Sequence, residues 1–186
     1  MAPAAMAPFF YPRSMDYFIR AVRALSVACG IAAALAVAAS VLVVCQMVWL
    51  RYVMNASTVW QTEFVTYAIV GATFVGSPYV LLTRGHVNVD LLPLYLARNT
   101  RKALALAVSV LALAFCLIMT WTGWHFFEQA WNGGWRTDTV WALPLWIPIL
   151  PLPVGMAILS LQYVADIVAV ATDREPSFGI TTELGE

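Results

Sequence analysis

The sequence predicts an all-α membrane protein of four transmembrane helices with both chain ends in the cytoplasm. Three observations predict it: the composition, four apolar runs of membrane-crossing length, and the opposite placement of arginine and tryptophan along the chain. Of 186 residues, 62% are hydrophobic and 11% charged, whereas soluble domains carry about 25% charged residues. Ten basic and ten acidic side chains cancel, so charge points to no nucleic acid and no generally acidic partner.

A hydrocarbon core of about 30 Å takes about 20 apolar residues in a helix. Runs at about 25–50, 59–82, 103–127 and 143–170 meet that requirement. They divide the chain into a cytoplasmic N-terminal segment, 1–23, a four-helix transmembrane domain, 24–172, and a cytoplasmic tail, 173–186. Eight basic residues fall on one side of this layout (Arg13, Arg20, Arg23, Arg84, Arg98, Arg101, Lys102 and Arg174), against Arg51 and Arg136 on the other. The excess assigns the first side, with both chain ends, to the cytoplasm. All eight tryptophans stand at span ends or in loops of the opposite side, where an amphipathic ring suits the headgroup layer.

Span one follows a basic stretch and passes Ala36-Val37-Ala38, which imitates a secretory cleavage site. A signal peptide's apolar region covers about 7–15 residues. This run continues to Leu50, so it is expected to remain as an anchor. Arg51 to Ser57 make a tight hairpin, after which Ser57 or Thr58 can cap span two and Glu63 stands near its positive dipole end. Interfacial solvation with an Arg51–Glu63 ion pair, and contact with a partner, are both open readings of this hairpin.

Inside span two, Ala68, Ala72 and Gly76 repeat every four residues, with Gly71 adjacent. Such small-residue ridges let helices approach closely in lipid, and Gly30, Ala34 and Ala38 of span one offer a matching surface. After span two, Asp90 can cap a short helix with Pro93 in its first turn. Leu91, Leu92, Tyr95 and Leu96 would form its apolar face, which predicts an amphipathic helix at the interface between spans two and three. Span four opens with Pro144, Pro148, Pro151 and Pro153. Each lacks a backbone donor, so the regular helix is expected from near Pro153, with the preceding residues at the outer interface or against a partner.

Mid-depth chemistry is sparse. Glu63, Glu128 and Asp166 all lie within a few turns of a span end, and no Lys or Arg is central. His86 and His125 fall on opposite sides of the bilayer and cannot ligate one haem between them. Cys29, Cys45 and Cys116 have no paired spacing and read as small apolar fillers. Asp166, with Gln162 one turn before it, is the most nearly buried acid, expected to pair with Arg20 or Arg23 or to meet a partner helix. No catalytic residue, metal site or cofactor is expected, though a bound phospholipid is compatible with the sequence. A structural subunit explains this pattern best.

Arg51-Tyr52-Val53-Met54-Asn55, then Ser57, Trp60 and Glu63, then the glycine-containing span two and Arg84-Gly85-His86-Val87-Asn88-Val89-Asp90, resemble the small permease subunit (Q type) of tripartite ATP-independent periplasmic (TRAP) transporters. Gln61 and Thr62 precede Glu63 where that family often has a second acid, and Asn88 stands where glycine is common. The resemblance implies a scaffold in a bacterial inner membrane, bound to a large permease subunit (M type) that carries the substrate and sodium sites. A soluble periplasmic binding protein (P type) would deliver an organic acid to the outer face, and this chain would bind neither ion nor substrate. Arg51, Asn55, Trp60 and Glu63, with the Trp131 to Trp146 loop, become candidates for receiving the binding protein. Arg84, His86 and Asp90 become candidates for fixing the interfacial helix and the partner's cytoplasmic side. The rivals are a stand-alone small multidrug-type transporter, which would move solute by itself, and a membrane redox or quinone subunit, which would carry a visible chromophore.

Overall fold

The computed structural model describes residues 13–83 and 98–171. Helix α1 covers Arg13–Tyr52, α2 Gln61–Leu82, α3 Arg98–Asn132, α4 Trp146–Ile149 and α5 Pro151–Ala171. Four of these, α1, α2, α3 and the α4–α5 segment, are long and apolar enough to cross a membrane. Among the described residues there is no strand, only an isolated bridge between Arg136 and Pro144. The chain is an all-α membrane protein of four spans. The interfacial helix expected after span two, with Arg84, His86 and Asp90, lies outside the described residues.

The helices outrun the apolar runs. α1 has 40 residues, about 60 Å at 1.5 Å per residue, roughly twice the hydrocarbon thickness. Hydropathy marks where lipid begins, not where helical hydrogen bonding stops, so the polar residues from Arg13 to Arg23 continue the same helix.

α5 is the central element, packing against α1, α2 and α3. Between Pro151 and Val168 only Val154 and Leu161 are exposed, as expected of a helix apolar on every face. α3 instead leans on α4 and α5, and leaves Val110, Leu111, Phe115, Leu117 and Ile118 exposed. α1 lies along α2 and touches α5.

On α1 the inward stripe runs Val22, Ser26, Cys29, Ala33, Ala36 and Ser40, whereas Ala34 and Ala38 are exposed. The surface expected at Gly30, Ala34 and Ala38 is therefore off register. Steps of four advance about 400° and drift around a helix of 3.6 residues per turn, and the observed stripe corrects the drift with steps of three. Gly30 faces the Tyr79 ring, and a Cβ on Gly76 would stand 3.0 Å from Ala33 Cβ. Ala72 and Gly76 of α2 are buried and Ala68 partly so.

The α2 and α5 backbones approach closely at Gly155. Pro78, fully buried inside α2, has no N–H to give to the Phe74 carbonyl. Ser77 Oγ donates to that oxygen instead at 2.8 Å. Gly155 of α5 sits directly against the same carbonyl, where a Cβ would collide with Phe74 backbone atoms. The broken helical bond is thus covered from both sides, which hydrocarbon requires.

Away from the tryptophans, Ser26 Oγ donates to Gln162 Oε1 at 2.9 Å, and Gln162 Nε2 donates to Asp166 Oδ1 at 3.0 Å. Ser26 and Gln162 are both 0% exposed. This bridge ties α1 to α5 and orients the Asp166 carboxylate.

Candidate functional site

Two loops meet at the tryptophan-rich end. The first closes α1: Val53 N–H donates to the Trp49 carbonyl at 2.9 Å, and Ala56 N–H reaches back to the Leu50 carbonyl at 3.0 Å. Between them Asn55 takes φ +48°, a left-handed conformation that its short polar side chain tolerates. Arg51 Nε donates to Thr58 Oγ1 at 2.8 Å, strapping the hairpin across its mouth. Neither Ser57 nor Thr58 caps α2. Its N-cap is Trp60, with no side-chain cap bond, because the Thr58 hydroxyl lies too far upstream and is engaged by Arg51.

The second loop, between α3 and α4, turns at Gly134 with φ +58°. Leu145 N–H donates to the Trp135 carbonyl at 2.9 Å and Thr137 N–H to the Leu143 carbonyl at 3.0 Å. Thr137 Oγ1 accepts from Leu143 N–H at 3.0 Å, and Arg136 Nη1 reaches the Ala142 carbonyl at 3.5 Å. Aromatic rings clamp its base, with Trp131 and Trp146 4.9 Å apart. The loops join where the Trp60 ring lies 6.2 Å from that of Trp141 and 6.0 Å from that of Phe64.

Below this junction α1, α2 and the α4 segment enclose an apolar groove of about 350 Å³, lined by Ala33, Ala36, Phe64, Ala68, Gly71 and Pro148 among others. Small residues on both long helices leave the space, and Trp141 closes its outer end. A second hollow, about 360 Å³, lies along α3 between Trp124, Phe127, Glu128, Trp131 and Asn132. There His125 Nδ1 stands 3.7 Å from Glu128 Oε2, both side chains about half exposed.

Arg51, Asn55, Trp60 and Glu63 thus share one hairpin, but the ion pair open to Arg51 and Glu63 does not form: Arg51 turns to Thr58. Glu63 Oε2 is buried with no hydrogen-bond partner, and so is Gln61 Oε1. Asp166 is at the far end, bonded to Gln162. Gly155 went unremarked in the sequence, and Gln61 and Trp141 were marked there only as a departure from the family pattern and as one of the interfacial tryptophans. A signal for Gly155 existed in Ser77-Pro78, since a proline inside a span frees a carbonyl that a neighbouring helix must cover. Among the described residues no group of three or more His, Cys, Asp or Glu stands together as metal ligands would. The site can offer aromatic surface, hydrogen-bond acceptors and an apolar recess, which are means of association.

Comparison with known proteins agrees with that character. The C4-dicarboxylate TRAP transporter small permease protein DctQ of Vibrio cholerae serotype O1 (strain ATCC 39315 / El Tor Inaba N16961) is 28% identical, over 61% of this chain and 58% of its own length. The match therefore spans less than two thirds of that relative. The family model described as tripartite ATP-independent periplasmic transporters, DctQ component, matches residues 40–173. That stretch holds the C-terminal third of α1 and all of α2, α3, α4 and α5, and the chain belongs to the DctQ component family of the TRAP transporters, as its small permease subunit.

Proposed function

We propose that this chain is the stationary scaffold of a sodium-coupled importer, gripping the large permease subunit while a periplasmic binding protein brings an organic acid to the tryptophan-rich face. The observation that carries this reading is the emptiness of the spans. Residues 24–50, 64–82, 103–124 and 151–165 contain no Asp, Glu, Lys, Arg or His. A coupling site at membrane depth calls for such groups or for helices broken at the midplane. The breaks here, at Leu150 and around the two loops, lie toward the ends.

In this reading both chain ends are cytoplasmic, the eight-to-two arginine and lysine bias fixing the orientation, and the membrane is the bacterial inner membrane. Trp49, Trp60, Trp121, Trp124, Trp131 and Trp135 hold the periplasmic interface, so the subunit keeps its depth while its partner moves. The Arg51 to Glu63 hairpin with the Trp131 to Trp146 loop receives the binding protein, and Arg84, His86 and Asp90 steady the partner's cytoplasmic side. The relative from Vibrio cholerae is named for C4-dicarboxylates, which belong to the same class of organic acid.

Affinity purification of this chain, co-expressed with a large TRAP permease subunit, tests the reading. Co-purification as a stable detergent complex is expected. Recovery of this chain alone, under conditions that keep both subunits folded, would contradict it.

A further inference from the structure

We propose that the hollow on α3 between Trp124, Phe127, Glu128 and Trp131 seats the ammonium headgroup of an ethanolamine phospholipid, from the membrane leaflet at the tryptophan-rich end. The inference rests on the four-span placement of the chain and not on the scaffold reading. These four residues follow one another at steps of three, one and three, so at about 100° per residue they leave the helix within an arc of about 100°. With Asn132 they line an open hollow of about 360 Å³. The Trp124 and Phe127 ring centroids are 5.5 Å apart, and those of Phe127 and Trp131 6.1 Å apart, which makes one row of rings. Trp146, 4.9 Å from Trp131, braces its outer end. Aromatic faces attract a cation within about 6 Å of the ring centroid, and clustered rings are what recognise organic ammonium groups.

The carboxylate beside the rings is open to a ligand. Glu128 is 55% exposed, and among the described residues the basic group at ion-pair distance from it is His125 Nδ1, at 3.7 Å. That separation is too long for a hydrogen bond, and the His125 ring packs against Trp121, with centroids 4.8 Å apart. Arg136, in the loop beyond, gives its Nη1 to the Ala142 carbonyl. An ionised carboxylate only accepts hydrogen bonds, so rings and acid together favour a cationic donor.

Depth decides which cation. About 20 residues cross the hydrocarbon, and counted from Ala103, the first residue after Arg101 and Lys102, they end near Thr122. Trp124 to Asn132 then rise about 12 Å, through a headgroup layer about 5–8 Å thick on each side. A soluble partner would meet the end of α3 at Asn132 before it reached Trp124. A lipid ammonium is already at that depth.

The test measures lipid binding to the purified full chain in detergent by native mass spectrometry. Dioleoyl phosphatidylethanolamine is compared with dioleoyl phosphatidylglycerol, which has the same acyl chains and phosphate but no ammonium. The ethanolamine lipid is expected to bind roughly tenfold more tightly, from a half-exposed cation–π contact and a surface ion pair together. Glu128→Gln and Trp124→Leu are each expected to reduce that preference by roughly threefold, and Glu128→Lys to reverse it. Trp49→Leu, at an interfacial tryptophan outside the hollow, is expected to leave it unchanged. Each substituted side chain is at least half exposed, so the fold should survive all four changes. Equal binding of the two lipids by the wild-type chain would overturn the inference, since acyl chains alone would then explain it. A preference that survives both Glu128→Gln and Trp124→Leu would also overturn it, as would an equal loss in Trp49→Leu. If the wild-type chain shows no preference while Glu128→Gln weakens capture of the periplasmic binding protein, the hollow takes a protein cation and the lipid assignment is wrong.

Discussion

Replacing Gly155 by alanine puts a methyl group into the Phe74 backbone, because α5 approaches α2 there at the carbonyl that Pro78 leaves without its helical donor. Neither helix can relieve the clash by turning a side chain, since the obstructing atoms are main chain. The helices must separate, at a cost of about 1–3 kcal/mol for an overpacked interface, with the loss of any Cα–H contact to Phe74 adding about 0.5–1 kcal/mol. The control lies on the same interface. A Cβ on Gly71 would meet Pro151 Cγ at 3.4 Å, an ordinary contact, so Gly71→Ala should stay within about 0.5 kcal/mol of wild type. Reversible unfolding of the purified chain in mixed detergent micelles reads both values. The reasoning would be refuted if Gly155→Ala proved as stable as Gly71→Ala.

Two other perturbations bear on the fold. Ser26→Ala should cost about 0.6 kcal/mol, the average of interhelical hydrogen bonds in membranes, and Gln162→Ala about 1–3 kcal/mol, because it strips partners from both Ser26 and Asp166; equal effects in the same unfolding assay would mean that Gln162 does not bridge α1 to Asp166. At the hairpin, Asn55→Gly should be close to neutral and Asn55→Val should cost about 1–2 kcal/mol, the difference between residues that accept φ +48° and one that resists it. A hairpin indifferent to valine would contradict the left-handed turn.

The spans were legible because lipid imposes a blunt rule, about 20 apolar residues each, and the sequence obeys it four times. Arg13 to Arg23 were not legible as helix, since continuation into water leaves no hydropathic mark. In the proline-rich entry to the last span, the helix starts at Pro151 rather than near Pro153. Both prolines then fall in the first turn, where a missing N–H breaks no intrahelical bond. The hairpin residues were legible as a group but their bonds were not. Arg51 had Glu63 and Thr58 within reach along the chain, and only the three-dimensional turn at Asn55 decides that it takes Thr58. Small-residue spacing pointed to close packing on α2, yet the register of α1 depends on alternating steps of three and four that a fixed four-residue repeat misses.

The central claim is that this chain holds position and transports nothing by itself. Proteoliposomes containing this chain alone, the large subunit alone, or both together, each with the binding protein and an inward sodium gradient, test it directly. The account predicts sodium-driven uptake of the organic acid only when both membrane subunits are present, and no flux through this chain alone. Solute movement by this chain alone, or full uptake by the large subunit without it, would contradict the account.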